Sequence, residues 1–197
     1  MNLPKSVQLI LGVNILTLLL FGSIVIHRAN LEFILYMAVI IFFLLVFLVT
    51  YKKVPYPNYL LWCLTAWSTL HMAGGLLMAR GDVWYNLILI PISDSLQILK
   101  YDQAVHMFGF FTATLLMYVI LKPLLKDPNR FGWALGIVLV AAGSGAGAWN
   151  EIVEFIAQAS FEDANVGGYL NTSLDTISNL IGGIFAFLFL KFIHRNK

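Results

Sequence analysis

An all-α polytopic membrane bundle is the fold class this sequence predicts, on three observations. Of its 197 residues 60% are hydrophobic and 11% charged, with a mean hydropathy of +0.84, against about half apolar and about a quarter charged in soluble domains. Six apolar runs, at roughly 7–26, 31–50, 59–79, 101–121, 132–156 and 173–193, each approach or exceed the ~20 residues that carry a helix across a ~30 Å hydrocarbon core. None shows the short alternating pattern of a transmembrane β-strand. One domain, 1–197, is therefore expected, crossing the cell membrane about six times as a multi-pass protein.

The first run has the position of a signal peptide. Its apolar stretch is too long for one, only Lys5 precedes it, and no small-x-small cleavage site follows, so it reads as a retained helix. The second run, LEFILYMAVIIFFLLVFLVT, carries one charge at its edge, and both helices read as lipid-facing packing. Between the third and fourth runs, RGDVWYNLILIPISDSLQILK (80–100) is interrupted by Pro91 and Asp94. It is too short to span and reads as an interfacial or re-entrant piece, with Trp84 and Tyr85 suited to the headgroup level. The fifth run contains Gly143-xxx-Gly147, a pattern that admits a close neighbouring helix; Gly182 and Gly183 offer the same on the sixth. The loop 157–172 holds Gly167 and Gly168, which favour a turn.

Basic residues set the expected orientation. With six helices, one side carries Lys5, Lys52, Lys53, Lys122, Lys126, Arg130, Lys191, Arg195 and Lys197, and the other only Arg28, Arg80 and Lys100. The positive-inside rule then puts both termini in the cytoplasm. The net charge of +2 and the lack of a basic cluster argue against nucleic acid as a partner, which leaves the lipid bilayer. Cys63 is the single cysteine, so no intrachain disulfide can form.

Placed on this topology, the polar residues gather near the outer ends of four helices. Asp102 and His106 are spaced i, i+4 at the start of the fourth, sharing one face; Glu151 and Glu154 are i, i+3 near the end of the fifth. Asp175 and Asn179 open the sixth, and His71 lies in the third, about eight residues from its outer end. Acids and histidines are costly in lipid, so they should face a polar interior. Three readings fit. In a structural one, the acids cap helices and meet their dipoles. A divalent-metal site would draw on His71, Asp102, His106, Glu151, Glu154 and Asp175. Metal-free acid–base chemistry would have Asp102 orient His106 while Glu151 and Glu154 share a proton, with Asp175 beside them. No H-E-x-x-H, phosphate loop or G-x-S-x-G occurs.

YDQAVHMFGF (101–110), WNEIVEF (149–155) and GYLNTSLDTISNLIGG (168–183) resemble the uncharacterised bacterial and archaeal membrane family typified by YjdF. The matching positions are Tyr101, Asp102, His106, Glu151, Glu154, Asp175 and Thr176; Gln103, Met107 and Asn179 differ from the residues common there. More distantly, the layout is similar to VanZ-like membrane proteins, a resemblance that implies action on lipid head groups or lipid-linked sugars. The expected function is a membrane-embedded enzyme acting on a lipid head group or lipid-linked phosphate through a pocket open to the outer face. Asp102, His106, Glu151, Glu154 and Asp175 are its candidate catalytic residues. The alternatives are a small cation or proton transporter or channel, and a non-catalytic scaffold. The inner helix halves are apolar apart from Asn14, Thr17 and Thr65, which favours a one-sided pocket.

Overall fold

In lipid every backbone N–H and C=O must find a partner within its own segment, so each apolar run closes into a helix. The computed structural model describes residues 3–93, 95–127, 131–162, 164 and 166–195; Asp94, Arg130 and Lys197, used above, lie outside the described residues. Six long helices run through them: α1 (Lys5–Arg28), α2 (Leu31–Thr50), α3 (Asn58–Leu76), α4 (Tyr101–Leu121), α5 (Trp133–Ser160) and α6 (Tyr169–Arg195). All but α3 are long and apolar enough to cross a membrane by length and composition. The third helix is shorter and carries Thr65, Ser68, Thr69 and His71. It ends at Leu76, so His71 stands about one and a half turns from its end. The sixth helix begins at Tyr169 rather than near 173, which moves Asp175 into its second turn.

An all-α reading misses one element. After α3 the strands β1 (Met78–Ala79) and β2 (Asp82–Val83) pair antiparallel across Arg80 and Gly81. Both turn residues have positive φ, +55° and +86°, the backbone that a tight two-residue hairpin requires. A single 3-10 turn follows at Trp84–Asn86, and Ile88 bridges Lys100 to close a loop. Ile90 and Ile92 on that loop are exposed.

The described residues form two compact units. The first comprises those of Met1–Asp102 and Ile156–Val166. Here α1 meets α3 through a buried amide: Asn14 Nδ2 donates to Thr65 Oγ1 (2.7 Å) and to Ile10 O (2.8 Å). Arg28 Nη1 donates to the Leu76 carbonyl (2.8 Å), using an orphan acceptor at the end of α3. Large apolar side chains of α1 and α2, among them Leu16, Leu19, Phe42 and Phe43, are exposed, as lipid-facing residues are. Glu32 departs from that pattern: read from sequence as an edge charge, it is buried in the first turn of α2. The dipole of the helix N-terminus favours an acid at that place.

Tyr85 clips the hairpin segment to α3. Its hydroxyl donates to the His71 carbonyl (2.7 Å) and lies 2.6 Å from His71 Nδ1. One hydroxyl proton cannot serve both, so Nδ1–H donates back to the tyrosine oxygen, which sets the tautomer. The Tyr85 ring occupies the space a Cβ on Gly74 would need, and the Phe33 ring does the same at Gly75. Tyr85→Phe is expected to cost about 0.6–1.7 kcal/mol, the range of hydrogen bonds in membrane proteins. Amide exchange should then speed up at residues 78–86 while α1 keeps its protection; unchanged exchange in the hairpin would contradict this account of the clip.

The second unit comprises residues 103–155 and the described part of 167–197. Its helices approach closely at small residues, as the Gly143-xxx-Gly147 pattern predicts. Thr114 of α4 fills the space beside Gly143, the Asn179 amide of α6 that beside Gly147, and the Phe187 ring that beside Gly136. At Gly182 the α4 backbone itself, at Met107, occupies the place a Cβ would take. Near the C-terminal ends of α4 and α6, Tyr118 Oη lies 2.7 Å from His194 Nε2. His194 Nδ1–H donates to Leu190 O (2.8 Å), and Lys191 Nζ stands 3.4 Å over the Trp133 ring.

Candidate functional site

His106 lies in the second turn of α4, one turn after Asp102, and is 5% exposed. A polar side chain so placed needs partners on its ring, and three residues of the same unit supply them. Nδ1 lies 3.1 Å from Asn179 Oδ1 on α6 and 3.6 Å from Glu151 Oε1 on α5. Nε2 lies 3.6 Å from Glu154 Oε1 on α5. The imidazole therefore sits between two carboxylates, one toward each ring nitrogen. Both acids are nearly buried, at 11% and 12% exposed.

The amides fix this arrangement. Asn179 Nδ2 faces Glu151 Oε1 at 3.4 Å, so Asn179 Oδ1 is the atom turned to the ring and Nδ1 carries the proton donated to it. That leaves Nε2 as the ring nitrogen turned to the Glu154 side. Glu154 Oε1 also accepts from Asn150 Nδ2 (2.6 Å), one turn earlier on the same helix. Asp175, wholly buried on α6, accepts from Asn171 Nδ2 (2.6 Å), again one turn earlier. One carboxylate oxygen of Asp175 lies within 4.8 Å of a ring nitrogen of His106. The same limit holds among one ring nitrogen of His106 and one oxygen each of Glu151 and Glu154.

Of the candidate catalytic residues named from the sequence, four thus come together on three helices of one unit: His106, Glu151, Glu154 and Asp175. Asp102 is placed in the first turn of α4 and is the last residue of the first unit. His71 belongs to that unit too, held by Tyr85 and ringed by Phe33, Tyr36 and Trp67 at centroid distances of 5.2–6.2 Å.

Residues outside the predicted set complete the site. Asn150 and Asn171 each precede a carboxylate by four residues, a spacing that sets an amide against the acid on one helix face. That spacing is legible in the sequence once the acids are picked out. Gly147 contributes by absence, since any side chain there would strike the Asn179 amide. Gln103, one of the positions that differ from the family's common residues, is buried in the first turn of α4.

Chemically, the cluster offers a buried imidazole held at Nδ1, with its Nε2 edge turned to a carboxylate, in surroundings with little water. A family model described as "Predicted membrane protein (DUF2238)" matches residues 8–196. No curated protein and no solved structure matches the chain.

Proposed function

The chain belongs to the DUF2238 family of membrane proteins, and from that premise we propose that it is a membrane-embedded enzyme acting on a lipid head group or a lipid-linked phosphate. The observation that carries this reading is the buried imidazole of His106 between Glu151 and Glu154. Burying a histidine and three acids in a membrane helix bundle costs a few kcal/mol for each ionised group. Capping supplies no return for Glu151 and Glu154, which lie inside α5 and far from its N-terminus. A reactive edge at Nε2 and Glu154 gives the arrangement a use: it can take a proton from water or from an acceptor hydroxyl as a head-group ester is cleaved. Asn179 and Glu151 then act as positioning residues through Nδ1. Asp175 adds negative charge near the ring.

The substrate class follows from the solvent. A cluster buried in apolar helices is reached by a molecule already in the bilayer, whose polar head enters while its chains stay in lipid. The test is direct. Purified protein in vesicles containing a radiolabelled polyprenyl phosphate, a polyprenyl diphosphate and the common phospholipids should release or transfer a head group from one of them. His106→Ala should lose that turnover. Turnover equal in both proteins, or in neither, would sink the reading.

The polar cluster is further proposed to open to the outer face, with both termini cytoplasmic, on the bias of the basic residues. In a Cys63→Ser background, Gly168→Cys should react with an impermeant thiol reagent on intact cells, and Lys53→Cys only after permeabilisation. The reverse labelling pattern would overturn the orientation.

A further inference from the structure

We propose that the end of the second unit opposite His106 is a binding site for an anionic phospholipid, whose head-group phosphate is held by Lys122 and Lys191. This does not rest on the enzyme reading, because it concerns the other ends of α4 and α6. Lys122 follows His106 by sixteen residues and Lys191 follows Asp175 by sixteen, about 24 Å of helix in each case.

Three observations carry the proposal. The first is a continuous run of rings. Centroid to centroid, Tyr118 and His194 stand 5.5 Å apart, His194 and Phe131 5.3 Å, Phe131 and Phe187 5.9 Å, and Phe187 and Trp133 5.0 Å. Two hydrogen bonds of His194, with Tyr118 Oη and with Leu190 O, pin one end of the run. At the other end Trp133 is exposed, as are the apolar side chains of Leu124 and Phe192. Rings of this kind collect at the head-group level of a bilayer, where acyl chains can lie against them.

The second is where the ammonium groups sit. Lys191 Nζ stands 3.4 Å over the Trp133 ring and 5.9 Å from the Phe187 centroid, and Lys122 Nζ stands 5.8 Å over the Tyr118 ring. Each end of the run of rings thus carries one half-buried lysine. A cation–π contact places an ammonium without neutralising it. Its charge and its N–H donors remain for an anion.

The third is charge. Residues 118–127 and 184–194 hold Lys122, Lys126 and Lys191 against one acid, Asp127, which is exposed. Among the described residues no carboxylate makes an ion pair with Lys122 or Lys191. Basic pockets between membrane helices suit anionic head groups. The exposed rings favour a lipid over a soluble anion, since only a lipid brings chains to cover them.

The experiment uses the full chain, purified and delipidated in detergent. Native mass spectrometry counts bound lipid as phosphatidylglycerol or phosphatidylcholine is added. One basic residue at an anionic surface is worth a factor of about 5, so phosphatidylglycerol should bind at least ~10-fold tighter than phosphatidylcholine. The Lys122→Gln/Lys191→Gln double variant should lose ~10–25-fold in phosphatidylglycerol affinity and keep its phosphatidylcholine affinity. Lys53→Gln, in the first unit, should bind as the wild type does. In case the double variant folds poorly, a photoreactive phosphatidylglycerol on the wild-type protein should label peptides of 118–137 or 184–195. Lysines that served topology alone would show no preference between the two lipids, and that result in the wild type would overturn the proposal. So would equal phosphatidylglycerol binding in the double variant and the wild type, or labelling confined to other peptides. Displacement of the lipid by millimolar inorganic phosphate would mark a site for free anions and overturn it too.

Discussion

Gly182→Val is expected to be the most damaging single substitution in the second unit, because what stands in its way is backbone. A Cβ at Gly182 would meet the carbonyl of Met107 and the amide nitrogen of Phe111 on α4. Overpacking against side chains costs about 1–3 kcal/mol, since rotamers can give way. A helix backbone cannot swing aside, so α6 must move bodily from α4. We expect a loss above ~3 kcal/mol, within the exceptional tail of single substitutions. Asn179 would leave His106 as a result, so site and fold should fail together. A control of similar chemistry is Gly145→Ala, where nothing lies within 4 Å of the added Cβ. That change should be neutral or gain up to ~1 kcal/mol from helix propensity. Thermal melting in one detergent reads both; equal melting of the two variants would mean that α4 and α6 do not touch at Gly182.

The second large effect is confined to function. His106→Ala removes the ring that Asn179, Glu151 and Glu154 surround. Hydrogen bonds between membrane helices average ~0.6 kcal/mol, and Glu151 and Glu154, relieved of the imidazole, can share a proton and stay buried. Insertion and melting should therefore survive, while head-group turnover falls by ~10²-fold or more, the scale of losing a group that handles the proton. Ser173→Ala is the matching control on α6, since Ser173 only returns a hydrogen bond to its own helix at Tyr169 O. If His106→Ala and Ser173→Ala turn over substrate equally, His106 is a structural residue.

The helices were legible because lipid leaves a chain few ways to satisfy its backbone: long apolar runs must coil. What periodicity could not supply was which face turns inward. LEFILYMAVIIFFLLVFLVT is apolar on every side past Glu32, so nothing in it marks Phe33, Tyr36 and Ile40 as the buried apolar residues. The hairpin at 78–83 was hidden for another reason. Its strands have two residues each, too few for an alternating pattern, and only Gly81 hints at the turn. The polar residues were easier to read, since a charge in an apolar run stands out against its cost. His106, Glu151 and Glu154 could be picked by that test alone. Asn179 stood beside them on the sixth run, and Asn150 and Asn171 follow from their four-residue spacing to an acid. That Asn179 turns to His106 and Glu151 shows only once α4, α5 and α6 are packed.

One measurement tests the central claim, that the buried His106–Glu154 pair acts on membrane lipids. Lipid extracts are compared by mass spectrometry from cells lacking the protein, cells carrying the wild type, and cells carrying Glu154→Gln at the same membrane level. The account predicts at least one head-group or lipid-linked phosphate species whose abundance changes when the wild type is restored and stays at the deletion level with Glu154→Gln. Lipid profiles that coincide in all three strains would contradict it.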